Sequence, residues 1–96
     1  MAEIRIHRYR VEAGDVDEFL ARRAALIGAM RERHAGLLET RLIELGDGVY
    51  VDTWRWASPE EMQCAFADVP NIPEVRAAMS LTRDGTADDG VIVDER

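Results

Sequence analysis

From Ile4 to Val11 the chain alternates: Ile4 and Ile6 fall on one side, and His7, Tyr9 and Val11 on the other. A period of two predicts a strand, and the switch of apolar side suits a strand covered on both faces for part of its length. Gly14-Asp15 ends the run. Asp15 is a favoured N-cap and Glu18 stands three residues on, so a helix is expected to open there with a capping box. Val16, Phe19, Leu20, Ile27 and Met30 then share a stripe at helical period, with Ala21, Ala25 and Ala29 on the far side. Gly36 is the expected C′ residue. Leu37 to Leu45 reads as a second strand, with Leu38, Thr40 and Leu42 on one side and Leu37, Arg41, Ile43 and Leu45 on the other. Gly46-Asp47-Gly48 predicts a hairpin turn, because Asp-Gly supplies positive φ angles. Val49 to Trp56 is then a third strand, with Val49, Val51 and Thr53 facing one way and Tyr50, Asp52, Trp54 and Trp56 the other. Ser58-Pro59-Glu60-Glu61 begins a helix, with Ser58 as N-cap, Pro59 at N1 and Glu61 at N3. Met62, Ala65, Phe66 and Val69 hold helical spacing until Pro70-Asn71-Ile72-Pro73 breaks it. A short helix from about Pro73 to Leu81 follows, with Val75, Ala78 and Met79 inward. Arg83 to Gly90 is expected as a polar, solvated loop, and Val91 to Asp94 as the last strand.

The element order is β-α-β-β-α-β with the second helix broken. That is the ferredoxin-like order of the α+β class, a four-stranded antiparallel sheet with its helices on one face. The other face is left open although its strands carry apolar residues. The simplest cover is the same face of a second copy about a two-fold axis, so a homodimer paired through its sheets is expected.

Residues 1–96 make a single domain, and a chain this short buries only roughly 60–65% of its unfolded surface, which again favours pairing. The net charge of −7 argues against nucleic acid and against an anionic membrane surface. All twelve basic residues are arginine, which excludes lysine Schiff-base chemistry. One cysteine, Cys64, excludes an intramolecular disulfide or a multi-cysteine metal site and fits a cytoplasmic setting; it is expected as a small core residue. No run approaches a membrane span, and no apolar leader opens the sequence.

Several side chains could carry chemistry. Trp54 and Trp56 share a side with Tyr50 and Asp52. They either fill core and interface or form an aromatic wall for a flat ligand, with Asp52 as hydrogen-bonding group or base. His7 is either an interface histidine or a second candidate base. Arg23 lies near the middle of the helical apolar stripe, where it must snorkel outward or meet a carboxylate such as Asp52 or an anionic ligand. His34, in line with Val16 at the helix end, either answers the helix dipole or touches a ligand. Two histidines far apart in sequence give no reason to expect a metal.

Val51-Asp52-Thr53-Trp54, leading into Ala57-Ser58-Pro59-Glu60-Glu61 and a broken helix ending Val75-Arg76-Ala77-Ala78-Met79-Ser80-Leu81, resembles the antibiotic-biosynthesis-monooxygenase type of dimeric α/β-barrel domain over most of the chain. The resemblance implies a small-molecule enzyme, with cofactor-independent monooxygenases of polycyclic phenols and haem-degrading enzymes among its members. In the polyketide-oxidising members an asparagine four residues before a tryptophan on this strand binds substrate. The matching pairs here are Asp52 before Trp56 and Tyr50 before Trp54, so the asparagine is replaced. Haem-degrading members use an asparagine on the first strand, where this chain has His7, and a histidine on the second helix, where residues 59–82 have none. The expectation is therefore an oxygenase of an aromatic or quinone-type substrate that needs no cofactor. Asp52 or His7 would be the base, Tyr50, Trp54 and Trp56 the clamp, and Arg23 and His34 further ligand contacts. The alternative is a non-catalytic binding or dimerisation module on the same fold.

Overall fold

A computed structural model describes residues 1–96. Strands β1 (Glu3–Val11), β2 (Leu37–Gly46), β3 (Val49–Trp56) and β4 (Thr82–Val91) form one antiparallel sheet in the order β2-β3-β1-β4. Helices α1 (Val16–Arg33), α2 (Pro59–Ala67) and α3 (Pro73–Met79) complete the ferredoxin-like β-α-β-β-α-β layout. The helices cover the sheet side that carries Tyr9, Tyr50, Asp52, Trp54 and Trp56, all of them buried. That fixes the direction of the tryptophan side, which alternation alone leaves open: it points into the protein's own helices.

The β2–β3 hairpin turns where the sequence places it, with Gly46, Asp47 and Gly48 at φ of 107°, 55° and 76°. Ser58 caps α2 by accepting from the Glu61 backbone N–H at 3.2 Å, with Pro59 at the first helical position.

Four local expectations change. Asp15 makes no side-chain cap, because a 3-10 turn over Ala13–Asp15 leads the chain into α1 instead. Along α1 the buried residues are Phe19, Leu26, Ile27 and Met30, while Leu20 is exposed, so the buried stripe is rotated from the predicted one. The helix ends with His34 as C-cap, two residues before Gly36. Gly36 is instead required by a close approach: a Cβ there would meet the Glu61 side chain at 2.8–2.9 Å. In β2 a bulge between Leu37 and Glu39 breaks the alternation. Leu37 therefore enters the core while Leu38 is exposed, the reverse of strict period-two reading.

The largest change is at the C-terminal end. Residues 83–90, expected as a loop, lie inside β4, and the expected strand at Val91–Asp94 keeps only Val91. β4 is an edge strand. Its backbone pairs with β1, while Arg5 binds Asp89 through two bonds of 2.6 and 2.8 Å, and Arg83 pairs with Glu12. An edge strand tolerates charge and glycine that would count against a central strand, and here the ladder to β1 outweighs weak strand propensity.

The core comes in two clusters. One gathers Leu26, Met30, Leu37, Trp54, Trp56 and Met62 with neighbours from α2 and α3; the other gathers Tyr9, Val11, Phe19 and Tyr50. Asp52 stands on β3 between Tyr50 of one and Trp54 of the other, and Met79 packs against both. Cys64, expected in the core, is exposed, because α2 turns Met62 and Ala65 inward and leaves Cys64 on its outer side.

Candidate functional site

The site grows from two central strands. On β1, Arg5, His7 and Tyr9 alternate on the helix-facing side; on β3, Asp52 and Trp54 do the same, and the ladder sets His7 opposite Asp52 and Arg5 opposite Trp54. Between this patch and the helices lies a cavity of about 220 Å³, lined by His7, Asp52 and Trp54 with Leu26, Met30 and Phe66 among its apolar walls.

Asp52 is 1% exposed and its carboxylate accepts four hydrogen bonds. Tyr9 Oη donates to Oδ2 at 2.7 Å and Trp54 Nε1 donates to Oδ1 at 2.9 Å. Arg23 donates to both oxygens, from Nε at 3.0 Å and from Nη2 at 2.8 Å. A carboxylate offers about four lone-pair sites, so all are used. Of the two readings open for Arg23, pairing with Asp52 is the one realised. Burial, followed by the Asp52 charge and hydrogen bond, pushes the Tyr9 phenol far above its ordinary value, so Tyr9 stays neutral and donates.

His7 has a different environment. It is half-buried, and its ring makes no hydrogen bond within the protein. Burial lowers its pKa below 6.5, the Arg5 charge lowers it further, and the charges of Asp52 and Asp89 oppose this in part. His7 is therefore neutral at neutral pH, with a ring nitrogen free to accept a proton.

Arg5 closes one wall. Its guanidinium lies 4.0 Å from the centroid of the Phe66 ring and is held by Asp89, whose carboxyl the Arg5 hydrogen bonds keep below the usual range. Phe66 in turn meets Trp56 edge-on at 5.8 Å. Neither Arg5 nor Phe66 stood out in the sequence. The signal available for Arg5 was its period-two position with His7 and Tyr9, which an arginine on a strand masks by reading as solvent-facing.

The structure thus brings His7, Asp52 and Trp54 together, with Arg23 behind Asp52. Tyr50 and Trp56 are core residues beside the cavity rather than on its wall. His34 is elsewhere, where its Nε2 meets Asp68 Oδ2 at 2.8 Å. Arg33 and Asn71 bind the same carboxylate, which they and His34 hold well below the usual carboxylate range, the Arg33 hydrogen bonds most strongly. This cluster ties the end of α1 to the end of α2.

The four-stranded sheet under a broken helical layer makes this chain a ferredoxin-like α+β domain, a fold it shares with solved proteins named as antibiotic biosynthesis monooxygenases. Solved structures with this fold cover nearly the whole chain. SnoaB of Streptomyces nogalater, a cofactor-independent oxygenase, is matched in a mutant form at a TM-score of 0.80 and 18% identity, over 98% of this chain and 95% of that one. A protein of Caulobacter crescentus, described as a candidate antibiotic biosynthesis monooxygenase, gives 0.79 at 14% identity, over 97% and 91%. A dimeric ferredoxin-like protein from an uncultured marine organism gives 0.73 at 14%, over 99% and 90%. No family profile matches the sequence, and no curated protein does. No helix is long and apolar enough to cross a membrane.

Proposed function

We propose that this chain is a monooxygenase-type oxidoreductase that oxidises a small phenolic or quinone-type substrate with O2 and without a cofactor, in the cytoplasm, as a homodimer paired through its open sheet face. The observation that carries the reading is His7: a neutral histidine with an unused ring nitrogen, facing an apolar cavity walled by Trp54 and Phe66. The base is assigned to His7 rather than Asp52, because a proton on Asp52 would displace one of four donors already bound there. Asp52 instead orients Trp54 as the aromatic wall, with Trp56 packed behind it.

For an anthrone-type substrate the step balances as follows. His7 takes a proton, and the resulting phenolate-carbanion passes one electron to O2. The radical pair joins in a C–O bond, and the peroxide loses water as the quinone carbonyl forms, with the His7 proton leaving in that water. One substrate and one O2 give one quinone and one water. SnoaB, described as a cofactor-independent oxygenase, supports the reading through its shared fold.

The sheet face turned away from the helices carries Ile4, Ile6, Ile43 and Val51 on neighbouring strands, with Ile6 and Ile43 exposed. A second copy would cover it.

Oxygen uptake over a panel of anthrones and hydroquinones tests the enzyme reading. One O2 is expected per substrate, and His7→Ala should lower kcat by about 10²–10⁴-fold, the usual contribution of a general base. Uptake by no member of the panel would leave the binding or dimerisation module as the reading.

A further inference from the structure

His7 and Met79 line a second space as well as the first. On their other side lies a more open cleft of about 240 Å³ against β4, with Tyr9, Thr82, Gly85 and Ala87 in its wall. A bulge makes room for it. Arg8 pairs with Thr86 and Arg10 with Arg83, so Asp84 and Gly85 of β4 stand against Tyr9 alone. Asp84 is held at a φ of 57°. Bulges recur beside active sites, where they bend a strand away from its neighbour.

We propose that the two spaces are one binding site divided by Met79. The ring system of the ligand lies on the Trp54 side, and a neutral substituent bearing a hydroxyl or amide lies on the Thr82 side. The inference rests on the proposed oxygenase reading for the chemistry, but not for the binding. Three observations support it. The first cavity alone is smaller than the ~300–1,000 Å³ of ordinary ligand sites, and the two together reach that range. Met79 is partly buried, packs against both core clusters, and is the unbranched, adaptable side chain suited to a movable divider. The second cleft has no arginine or carboxylate in its wall, which excludes a charged substituent. It does have hydrogen-bond acceptors. Thr82 Oγ1 donates its proton to the Met79 carbonyl at 2.8 Å and Tyr9 Oη donates to Asp52, leaving lone pairs on both oxygens.

The test compares anthrone with an anthrone bearing a hydroxyethyl arm, by quenching of tryptophan fluorescence for Kd and by O2 uptake for kcat/KM. Gly85→Leu fills the cleft; a Cβ at Gly85 meets no atom within 4 Å, so the fold tolerates it, and Ala87→Leu is the second filling variant. Both should shift Kd and kcat/KM against the armed compound, relative to anthrone, by about tenfold or more, the scale of steric exclusion in a pocket. Met79→Ala should shift the ratio the other way. Unchanged ratios in folded variants overturn the two-part site even if both compounds are oxidised. Shifted Kd ratios without O2 uptake retain the site and remove the oxygenase reading. Binding of neither compound to the wild-type protein overturns both.

Discussion

Arg23 of α1 and Asp52 of β3 meet in a two-pronged ion pair, with bonds of 2.8 and 3.0 Å, and both side chains are removed from most solvent, at 12% and 1% exposure. The pair joins the long helix to the central sheet at the seam between the two core clusters. Tyr9 and Trp54 fill the remaining lone pairs, so each partner has its charge met in place.

Removing either partner leaves a buried charge without its counterion. Asp52→Leu and Arg23→Met are each expected to cost about 3–5 kcal/mol. An Asp52→Leu/Arg23→Met double variant should cost much less than the two single losses added together, because a buried ion pair replaced by apolar groups of similar volume is often close to neutral. Urea unfolding of the four proteins measures this, and additive losses would refute the coupling.

His7 should titrate below 6.5, since burial and the Arg5 charge lower its pKa. The chain has two histidines, so two imidazole resonances suffice to follow it by NMR. Between the native value and 6.5 the unfolded chain binds the proton and the native one does not, so stability rises with pH through that window and is lost on acidification below 6.5. His7→Gln should flatten this part of the curve. The acid limb of kcat/KM, read on the free enzyme, should fall in the same window.

Trp56 is fully buried and its indole N–H has no partner. Trp56→Ala should cost about 3–5 kcal/mol, as large-to-small aromatic core changes do. Trp56→Phe should cost clearly less, because it keeps an aromatic ring in the core while losing, as the alanine variant also does, an unpaired polar group whose burial costs about 1–3 kcal/mol. Thermal and urea denaturation give both values; equal losses would mean that the ring Phe keeps does not fill the core.

The open sheet face predicts that Ile6→Glu and Ile43→Glu shift the protein from dimer to monomer in sedimentation, with helical content retained. Ile6 and Ile43 are 40% and 45% exposed in the single chain, on the side away from the His7 cavity. A sedimentation coefficient unchanged by either substitution would rule this face out as the interface.

Strong local signals carried the element order. Alternation in β1 and β3, the Asp-Gly turn, the Ser58-Pro59 start and the Pro70–Pro73 break each depend on a few neighbouring residues, and all are realised. That order, with the short chain, was enough for the ferredoxin-like fold, and it placed Asp52 and Trp54 on one side of one strand. The tertiary structure decided what depends on distant partners. β4 is a strand because β1 offers it a ladder, although Arg83 to Gly90 lacks strand character. Leu37 is inside because one bulge shifts the register of β2. Arg23 pairs rather than snorkels because α1 crosses directly over Asp52, and that contact helps to saturate the Asp52 carboxylate, while the His7 ring is left without a hydrogen bond. Residue type and spacing determine which groups share a face; only packing determines which of them still have a free lone pair.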